Sequence, residues 1–470
     1  MDYDFVVIGG GSAGYAGART AVALGLRTVV IDAGEELGGL CILRGCMPSK
    51  TLIESADRYR SARRGEEFGL RIEPRGVDVA AIRARKRRLV AEFAAYRTGQ
   101  LERGGFELIR GRAQFVDPHR LTVELRGGGT RDLTSRTFLI ATGSMVQWPE
   151  VPGVEPSLCW TSDDALEADH LPGSVAVLGG GPVALEFAHY FEGLGSRVTL
   201  IQRGVHPLSG LDPQLGGAVR TAFERRGIAV HCGTRLVGVA RDGDGRRVTF
   251  EEDGEVREVG VEVVLQALGR EPAVRGLGLE AAGLPVRLGR GRCLGTRQTP
   301  VPHVFAAGDV CSSDEIVHVA IAQGETAARN AARWVRGEVE AMEDGTVSPR
   351  LFAVFCDPQV AVAGLDGVAA AASGTAFEAA EYRFDDHGKS LVAGETEGFV
   401  RLLADPVTGR LLGGAVVGPH GAELIHEVVV ALSAGLTAAQ LAGVPHYHPT
   451  LSEIWTYPAE ELAGRCGGCP

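Results

Sequence analysis

One local pattern that occurs twice constrains the fold of this chain more than any other feature. A short apolar segment, a glycine-rich turn and a helical segment follow one another at the start, and the same order returns about 170 residues later. The helix N-terminus after such a turn faces a pyrophosphate, which the small residues let the backbone approach. The pattern therefore predicts two Rossmann-like dinucleotide-binding domains in tandem. The two turns are Gly9-x-Gly11-x-x-Gly14 and Gly179-x-Gly181-x-x-Ala184.

The apolar segments beside both turns are typical of parallel strands. They lack polar alternation, as strands covered on both faces do. From Pro349 onward the sequence mixes strands with a helix, Ala422–Ala434, and carries no phosphate turn. We therefore predict an α/β fold with a C-terminal α+β domain. The predicted segments are 1–150 and 273–347 for the first dinucleotide-binding domain, 151–272 for the second, and 348–470 for the C-terminal domain.

Composition excludes several classes of protein. The 470 residues suffice for about three domains. The net charge of −11 argues against nucleic acid as the main partner, because phosphate binding needs a positive surface. No apolar run is long enough to span a bilayer. A strand begins at Phe5 and nothing before it resembles a signal peptide, so we expect a cytoplasmic protein.

The two predicted folds differ at the end of their second strand. Asp32 ends that strand in the first fold, where its carboxylate can accept a ribose hydroxyl. Gln202 and then Arg203 stand there in the second fold. A carboxylate would repel a 2′-phosphate, whereas an amide beside a guanidinium would bind it. This favours NADPH over NADH, although Arg203 could simply be an exposed residue.

Cys41 and Cys46 form the first pair of cysteines that needs an explanation. In a regular helix such positions lie ~8.6 Å apart, beyond the ~7 Å limit for a disulfide. A bridge would need a distorted helix start, which Gly38, Gly39 and Gly45 could permit, and the strain would suit a redox-active pair. The alternative is two unpaired buried thiols. We expect the five isolated cysteines to be small buried hydrophobes; they are Cys159, Cys232, Cys293, Cys311 and Cys356.

A group of polar residues near the C-terminus could supply a base. His446, His448 and Glu453 lie within eight residues of one another. A dithiol enzyme needs a base to form its thiolate and to protonate the leaving thiol, and a carboxylate would orient that base. On this evidence alone they could also be ordinary polar residues. A zinc site is a weaker interpretation, since no further ligands stand at matching intervals, and we predict no metal site.

Several motifs together resemble the pyridine nucleotide–disulfide oxidoreductases, a family that includes dihydrolipoamide dehydrogenase, glutathione reductase and mercuric reductase. The resemblance covers nearly the whole chain. It implies FAD in the first fold, a nicotinamide cofactor in the second, a C-terminal dimerisation domain and a homodimer. The motifs are Gly38–Lys50 with its two cysteines, Ala141–Gly143, Gly269–Arg270, Ala306–Asp309 and His448–Glu453.

The resemblance also implies roles by position. Cys46 would face the flavin as the charge-transfer thiolate, and Cys41 would attack the substrate. Lys50 would lie near the flavin and pair with Glu186. His448 and Glu453 would come from the partner subunit as the acid–base pair. Further cofactor-binding positions would be Gly39, Thr142, Gly143, Asp309 and Gly269.

Two departures and an unusual tail accompany the resemblance. Leu40 stands where the family commonly has Thr, and Pro182 stands where an aromatic or aliphatic residue is frequent. Cys466 and Cys469 form a CxxC pair in a glycine-rich end, which we expect to be mobile, and such spacing can lower a thiol pKa. The tail resembles the extra cysteine pair of mercuric and large thioredoxin reductases. It could relay electrons, transfer a soft metal ion, or be incidental.

Our first functional hypothesis is an enzyme that passes electrons from NADPH through FAD and the Cys41–Cys46 pair to a small-molecule or protein disulfide. The alternatives are an NAD-linked dihydrolipoamide dehydrogenase and a mercuric reductase-like enzyme that uses the C-terminal cysteines. A flavin-binding protein with a thiol metal-transfer or scaffold role belongs to a different class.

Overall fold

A computed structural model of the chain describes residues 1–73, 75–286, 288, 293–312 and 314–466. The chain divides into two compact units. The first unit comprises Met1–Ser49, Ala84–Gln147 and Arg270–Val347, and the second comprises Lys50–Arg83, Trp148–Gly269 and Ser348–Pro470. Among the described residues, no helix combines the length and apolar character needed to cross a membrane.

The strands contribute a large share of the buried core. They are β1 Tyr3–Ile8, β2 Thr28–Asp32, β3 Glu107–Asp117, β4 Arg120–Leu125, β5 Thr130–Ile140, β6 Ser144–Val146, β7 Ser174–Leu178, β8 Arg197–Gln202, β9 Ala229–Cys232, β10 Arg235–Asp242, β11 Gly245–Glu252, β12 Glu255–Val261, β13 Val263–Gln266, β14 Arg270–Pro272, β15 Val304–Ala306, β16 Leu351–Val354, β17 Gln359–Gly364, β18 Glu378–Arg383, β19 Phe399–Ala404 and β20 Leu411–Gly418.

Glycine or proline stands at or beside many of the helix ends. They are α1 Ser12–Ala23, α2 Gly39–Leu43, α3 Cys46–Arg63, α4 Val79–Glu102, α5 Ser162–Glu167, α6 Pro182–Leu194, α7 Pro213–Arg225, α8 Val317–Arg336, α9 Gly367–Ser373, α10 Gly388–Ala393, α11 Gly421–Ala434, α12 Ala438–Ala442 and α13 Thr456–Arg465. Short 3-10 segments lie at Gly65–Phe68, Leu279–Ala282, Val339–Ala341, Phe384–Asp386 and Ser452–Trp455.

The first unit contains a parallel sheet in the order β3-β2-β1-β5-β15. β3 and β5 are long, and each also pairs antiparallel with β4. Helices α1 and α8 pack so closely that a Cβ on Gly17 would lie 3.1 Å from the Gly324 carbonyl oxygen. The apolar strands predicted at the N-terminus thus form the centre of a Rossmann-like fold, as their lack of polar alternation required.

The second unit contains a second parallel sheet and two antiparallel ones. The parallel strands run in the order β13-β7-β8-β9, beside the meander β10-β11-β12. The C-terminal segment forms the antiparallel sheet β16-β17-β20-β19-β18. These observations confirm the predicted fold class of two Rossmann-like folds and a C-terminal α+β domain. The predicted division into four segments stays a prediction.

Candidate redox and dinucleotide sites

The first glycine turn lies between β1 and α1 and forms a narrow backbone groove. Gly9 has a φ of +103°, and a Cβ on Gly14 would overlap the Gly9 carbonyl oxygen. A Cβ on Gly39 would lie 2.7 Å from the Cα of Gly11. Gly11 caps α1 without any side-chain hydrogen bond, so the first N–H groups of the helix are left for another acceptor.

Asp32 ends β2 beside this groove. Its carboxylate accepts hydrogen bonds from the N–H of Gly10 at 2.7 Å and of Gly34 at 2.8 Å. A cleft of about 230 Å³ opens beside it, lined also by Gly111 and Arg112. The two N–H donors hold the Asp32 carboxylate in place beside this cleft.

Two further predicted cofactor residues lie in the same unit. Asp309 follows β15 and accepts a hydrogen bond from the Ser144 hydroxyl at 2.9 Å, while Arg270 donates to that hydroxyl at 2.8 Å. The hydroxyl of Thr142 is buried and has no hydrogen-bond partner among the described residues. Gly143, with a φ of +73°, continues this segment. A groove that a Cβ would fill and a buried hydroxyl without a partner fit a bound dinucleotide such as FAD.

The second glycine turn lies between β7 and α6 in the second unit. Gly179 has a φ of +119°, and a Cβ there would overlap the Ala267 carbonyl oxygen. Gly181 caps α6, and Pro182 occupies the first helical position, where its missing N–H costs nothing. Ala184 is buried. Gly269, which ends this unit's second segment, has a φ of +117°.

Gln202 takes the strand-end position in this second fold. A Cβ on Gly180 would lie 2.7 Å from its side-chain Cδ, so the amide rests against the glycine turn. The N–H and hydroxyl of Thr234 both donate to the Gln202 carbonyl at 3.1 Å. Arg203 follows and is exposed. The Gln202 amide thus lies against the second glycine turn, and the guanidinium of the next residue is exposed.

The cysteine segment is an interrupted helix. Cys41 lies in α2, Cys46 is the first residue of α3, and both are half-buried. Gly38 and Gly39 have φ values of 148° and 72°. A Cβ on Gly45 would lie 3.1 Å from the Cα of Cys41, so only glycine lets the chain pass there without displacement. The predicted distortion is present at the glycines that were expected to permit it.

Lys50 lies one turn beyond Cys46 on α3 and forms a half-buried ion pair. Its Nζ lies 2.8 and 2.7 Å from the two carboxylate oxygens of Glu186 on α6. Glu186 also accepts a hydrogen bond from the N–H of Phe355 at 3.1 Å, and Lys50 lies 4.8 Å from the centre of the Phe355 ring. Removing Lys50 would therefore leave the buried carboxylate of Glu186 without its cation, which destabilises the folded chain.

The two C-terminal histidines have different partners. The Nδ1 of His448 lies 3.0 Å from Glu453 Oε2, and 77% of the His448 side chain is exposed. His446 instead places its Nε2 2.6 Å from the carboxylate of Glu427. His448 therefore presents its Nε2 edge outward while a carboxylate holds the other nitrogen, which is the arrangement of an oriented base.

The C-terminal cysteine pair is only partly described. Cys466 is buried in the core around Trp455 and Leu462, and burial raises the pKa of its thiol. The lowered thiol pKa was expected of a closed Cys466–Cys469 pair, so the role of this tail stays a prediction. Cys469 lies outside the described residues.

Sequence reasoning missed two contacts. Cys293 and Cys311 were expected to be isolated, but Cys311 forms a hydrogen bond to Cys293 that lowers the pKa of the Cys293 thiol. The buried His387 faces Glu453, with its Nε2 3.4 Å from Oε1. Neither contact has a local sequence signal, because their partners are far apart along the chain.

Two dinucleotide folds, an interrupted cysteine helix and an oriented histidine define the class of flavin- and nicotinamide-dependent dithiol enzymes. Comparison with known proteins agrees. Residues 3–324 match the pyridine nucleotide–disulphide oxidoreductase family, and residues 352–459 match the dimerisation domain of the same family. The chain belongs to this family.

Three similar proteins illustrate the relationship. A dihydrolipoyl dehydrogenase of Thermus scotoductus is 34% identical over 468 residues, covering 98% of this chain and 97% of that protein. A mercuric reductase of Bacillus cereus is 33% identical over 455 residues, covering 96% of this chain and 70% of that protein. The crystal structure of LpdA from Mycobacterium tuberculosis has a TM-score of 0.85 and 29% identity, covering 98% and 99% of the two chains.

The family defines the coarse biochemistry of this chain. It is an oxidoreductase that acts on sulfur groups, and the family implies FAD and a pyridine nucleotide as its cofactors. The dimerisation domain supports a homodimer.

Proposed function

We propose that this enzyme reduces a disulfide substrate with electrons from NADPH. The observation that carries the proposal of disulfide chemistry is the helix interruption that brings Cys41 and Cys46 onto adjacent helical segments. Gln202 and the exposed Arg203 support NADPH, because neither repels a 2′-phosphate and the guanidinium can bind it.

The two glycine turns would hold FAD and NADPH, which would supply the two electrons that open the Cys41–Cys46 disulfide to two thiols. The Cys41 thiolate then attacks one sulfur of the substrate disulfide, which forms a mixed disulfide and expels one thiolate. His448 protonates that leaving thiolate. Cys46 then attacks the Cys41 sulfur, closes the internal disulfide and expels the second substrate thiolate, which takes its proton from solvent through His448, so two electrons and two protons reach the substrate.

The remaining site residues have supporting roles in this proposal. Glu453 orients His448 and stabilises its charged form, and both act from the partner subunit. Glu186 holds the charge of Lys50 near the flavin. FAD is held by the first glycine turn with Asp32, Thr142 and Asp309.

A second candidate is dihydrolipoyl dehydrogenase activity with NAD⁺. The comparisons favour it, since relatives 31–34% identical over nearly the whole chain carry that name. Mercuric ion reduction has less support, because Cys466 is buried and its pKa is raised. A cytoplasmic location stays a prediction.

The decisive experiment is steady-state turnover with lipoamide, glutathione disulfide, a protein disulfide and mercuric ion, each with NADPH and with NADH. We expect NADPH-dependent reduction of a disulfide that Cys41→Ser abolishes. Cys159→Ser changes a buried cysteine that is not one of the predicted site residues; it is the matched control and should retain activity.

Other outcomes would replace the proposal. A strong preference for NADH with lipoamide would establish the second candidate. Mercury-dependent NADPH oxidation that Cys466→Ser removes would establish a metal reductase. A yellow protein with no turnover on any substrate would indicate a binding or scaffold role.

A further inference from the structure

His387 is a fully buried histidine that the proposed mechanism does not use. It lies between the 3-10 segment Phe384–Asp386 and α10, and its side chain has no exposed surface. Its Nδ1 lies 2.9 Å from the Ser390 hydroxyl. Its Nε2 lies 3.4 Å from Glu453 Oε1, the carboxylate oxygen that does not contact His448.

The two facing atoms have no other partner. Both His387 Nε2 and Glu453 Oε1 are buried, and neither has a well-formed hydrogen bond to any described residue. An unsatisfied buried polar atom costs about 1–3 kcal/mol, so each atom is the natural partner of the other. A small rotation of the imidazole would align the Nε2–H with the carboxylate.

The surroundings of His387 favour its neutral form. Burial lowers its pKa, against the opposing effect of Glu453, and His448 lowers it further. The titratable groups that face it are therefore Glu453 and His448, with the Tyr457 ring packed edge-on at 6.3 Å. The neighbouring Asp386 instead accepts a hydrogen bond from the Tyr382 hydroxyl at 3.0 Å.

One tautomer satisfies the whole chain of contacts. The Ser390 hydroxyl can donate to Nδ1, the Nε2–H can donate to Glu453 Oε1, and Glu453 Oε2 then accepts from His448 Nδ1–H. In this tautomer His387 adds no charge, so the full negative charge of Glu453 remains available to His448.

We infer that His387 is a positioning residue that locks the Glu453 carboxylate and thereby orients His448 and supports its protonated form. The inference rests on the proposed role of His448 as the acid–base group. It assigns the Ser390–His387 pair a place in the same hydrogen-bond chain.

The test compares His387→Leu with His387→Gln. Leucine fills a similar volume but leaves Glu453 Oε1 buried without a partner, which disfavours the carboxylate and weakens its support of the His448 imidazolium. Glutamine can place an N–H near the position of Nε2. We expect His387→Leu to lower kcat about five- to tenfold, a small part of the ~10²–10⁴-fold that an acid–base group contributes. His387→Gln should restore most of that rate.

A second measurement does not depend on turnover. Diethyl pyrocarbonate reacts with the neutral form of imidazole. The rate at which it modifies the peptide that contains His448 can be followed by mass spectrometry. A plot of this rate against pH therefore reports the protonation of His448. His387→Leu should displace this curve toward lower pH, and His387→Gln should leave it near wild type. Ser390→Ala should give a smaller shift in the same direction.

Controls separate this role from stability. His303→Gln changes another buried histidine, whose Nε2 contacts the Pro118 carbonyl at 2.7 Å, and should leave the His448 curve unchanged. The inference is overturned if both His387 variants lose activity in proportion to their melting temperatures while the curve stays fixed. If the wild-type enzyme reduces no disulfide, the proposed function fails, but the modification curve still decides whether His387 acts on His448.

Discussion

The two dinucleotide folds have the same backbone turn and different chemistry around it. Their first glycines, Gly9 and Gly179, both have a positive φ. In the first fold a Cβ at the third motif position, Gly14, would overlap the Gly9 carbonyl, whereas the second fold has a methyl group there on Ala184. The helix therefore packs more tightly against the glycine turn in the first fold than in the second.

The two folds also differ at the end of their second strand, and this difference bears on which nucleotide each fold binds. In the first fold two N–H groups hold a carboxylate, Asp32, beside the turn. In the second fold an uncharged amide, Gln202, lies against the turn and an arginine follows. Since the backbones are alike, the choice between nucleotides rests on these few side chains.

The largest expected effect comes from Gly14→Ala. The added methyl group would overlap the backbone of Gly9, so we expect protein that lacks flavin and is destabilised by about 3 kcal/mol or more. The matched change in the second fold, Ala184→Gly, should cost only about 1 kcal/mol and leave flavin bound. Flavin absorbance and thermal melting of both proteins test this. A yellow Gly14→Ala protein with normal melting would show that the first turn is no tighter than the second.

The next effect concerns nucleotide preference. Combining Gln202→Glu with Arg203→Ala adds a charge that repels a 2′-phosphate and removes one that attracts it. We expect the ratio of kcat/KM for NADPH to that for NADH to fall about 10- to 100-fold, from the ~1.5–3 kcal/mol of a hydrogen bond to a charged group. Asp32→Asn, the matched change in the first fold, should weaken flavin retention and leave this ratio unchanged. An unaltered ratio in the double variant would show that Arg203 is only an exposed residue.

The smallest effect is on acid stability. Helix α6, after the second turn, carries the fully buried His189 with its Nε2 2.7 Å from Asp57, and burial lowers its pKa. Below its ordinary pKa near 6.5 the unfolded chain therefore binds a proton that the native protein does not, so stability falls as pH falls. One such group contributes a slope of up to about 1.4 kcal/mol per pH unit.

Denaturant unfolding between pH 7 and pH 5 checks this. His189→Gln should flatten the pH dependence. His170→Gln should act with the opposite sign, because the hydrogen bond to Asp169 raises the pKa of His170 and the resulting stability is lost as pH rises. Parallel curves for wild type and His189→Gln would contradict the assignment. Helix α1, at the matching place in the first fold, carries no histidine, and the buried His303 elsewhere in the first unit has its pKa lowered by burial in the same direction.

Local features of the sequence were sufficient to predict much of the fold. The strands around both turns follow from apolar segments without polar alternation, and the helix break follows from the spacing of Cys41 and Cys46 with Gly45 between them. Each of these features depends on residues that are close together in the sequence, where steric limits on the backbone determine the local structure. The site residues were reached less directly, because the roles of Lys50 and Asp309 depended on resemblance rather than on their own pattern.

By itself the sequence determined the two dinucleotide folds, the interrupted cysteine helix and the different strand ends, because backbone sterics and hydrophobic periodicity act over short distances. The Lys50–Glu186 pair was expected only from the family resemblance, and the tertiary structure shows it. Only the tertiary structure decided that Cys293 meets Cys311 and that His387 faces Glu453. These partners are distant along the chain. A polar group that is removed from water needs a hydrogen-bond or charge partner, and folding determines which side chains lie near enough to be that partner.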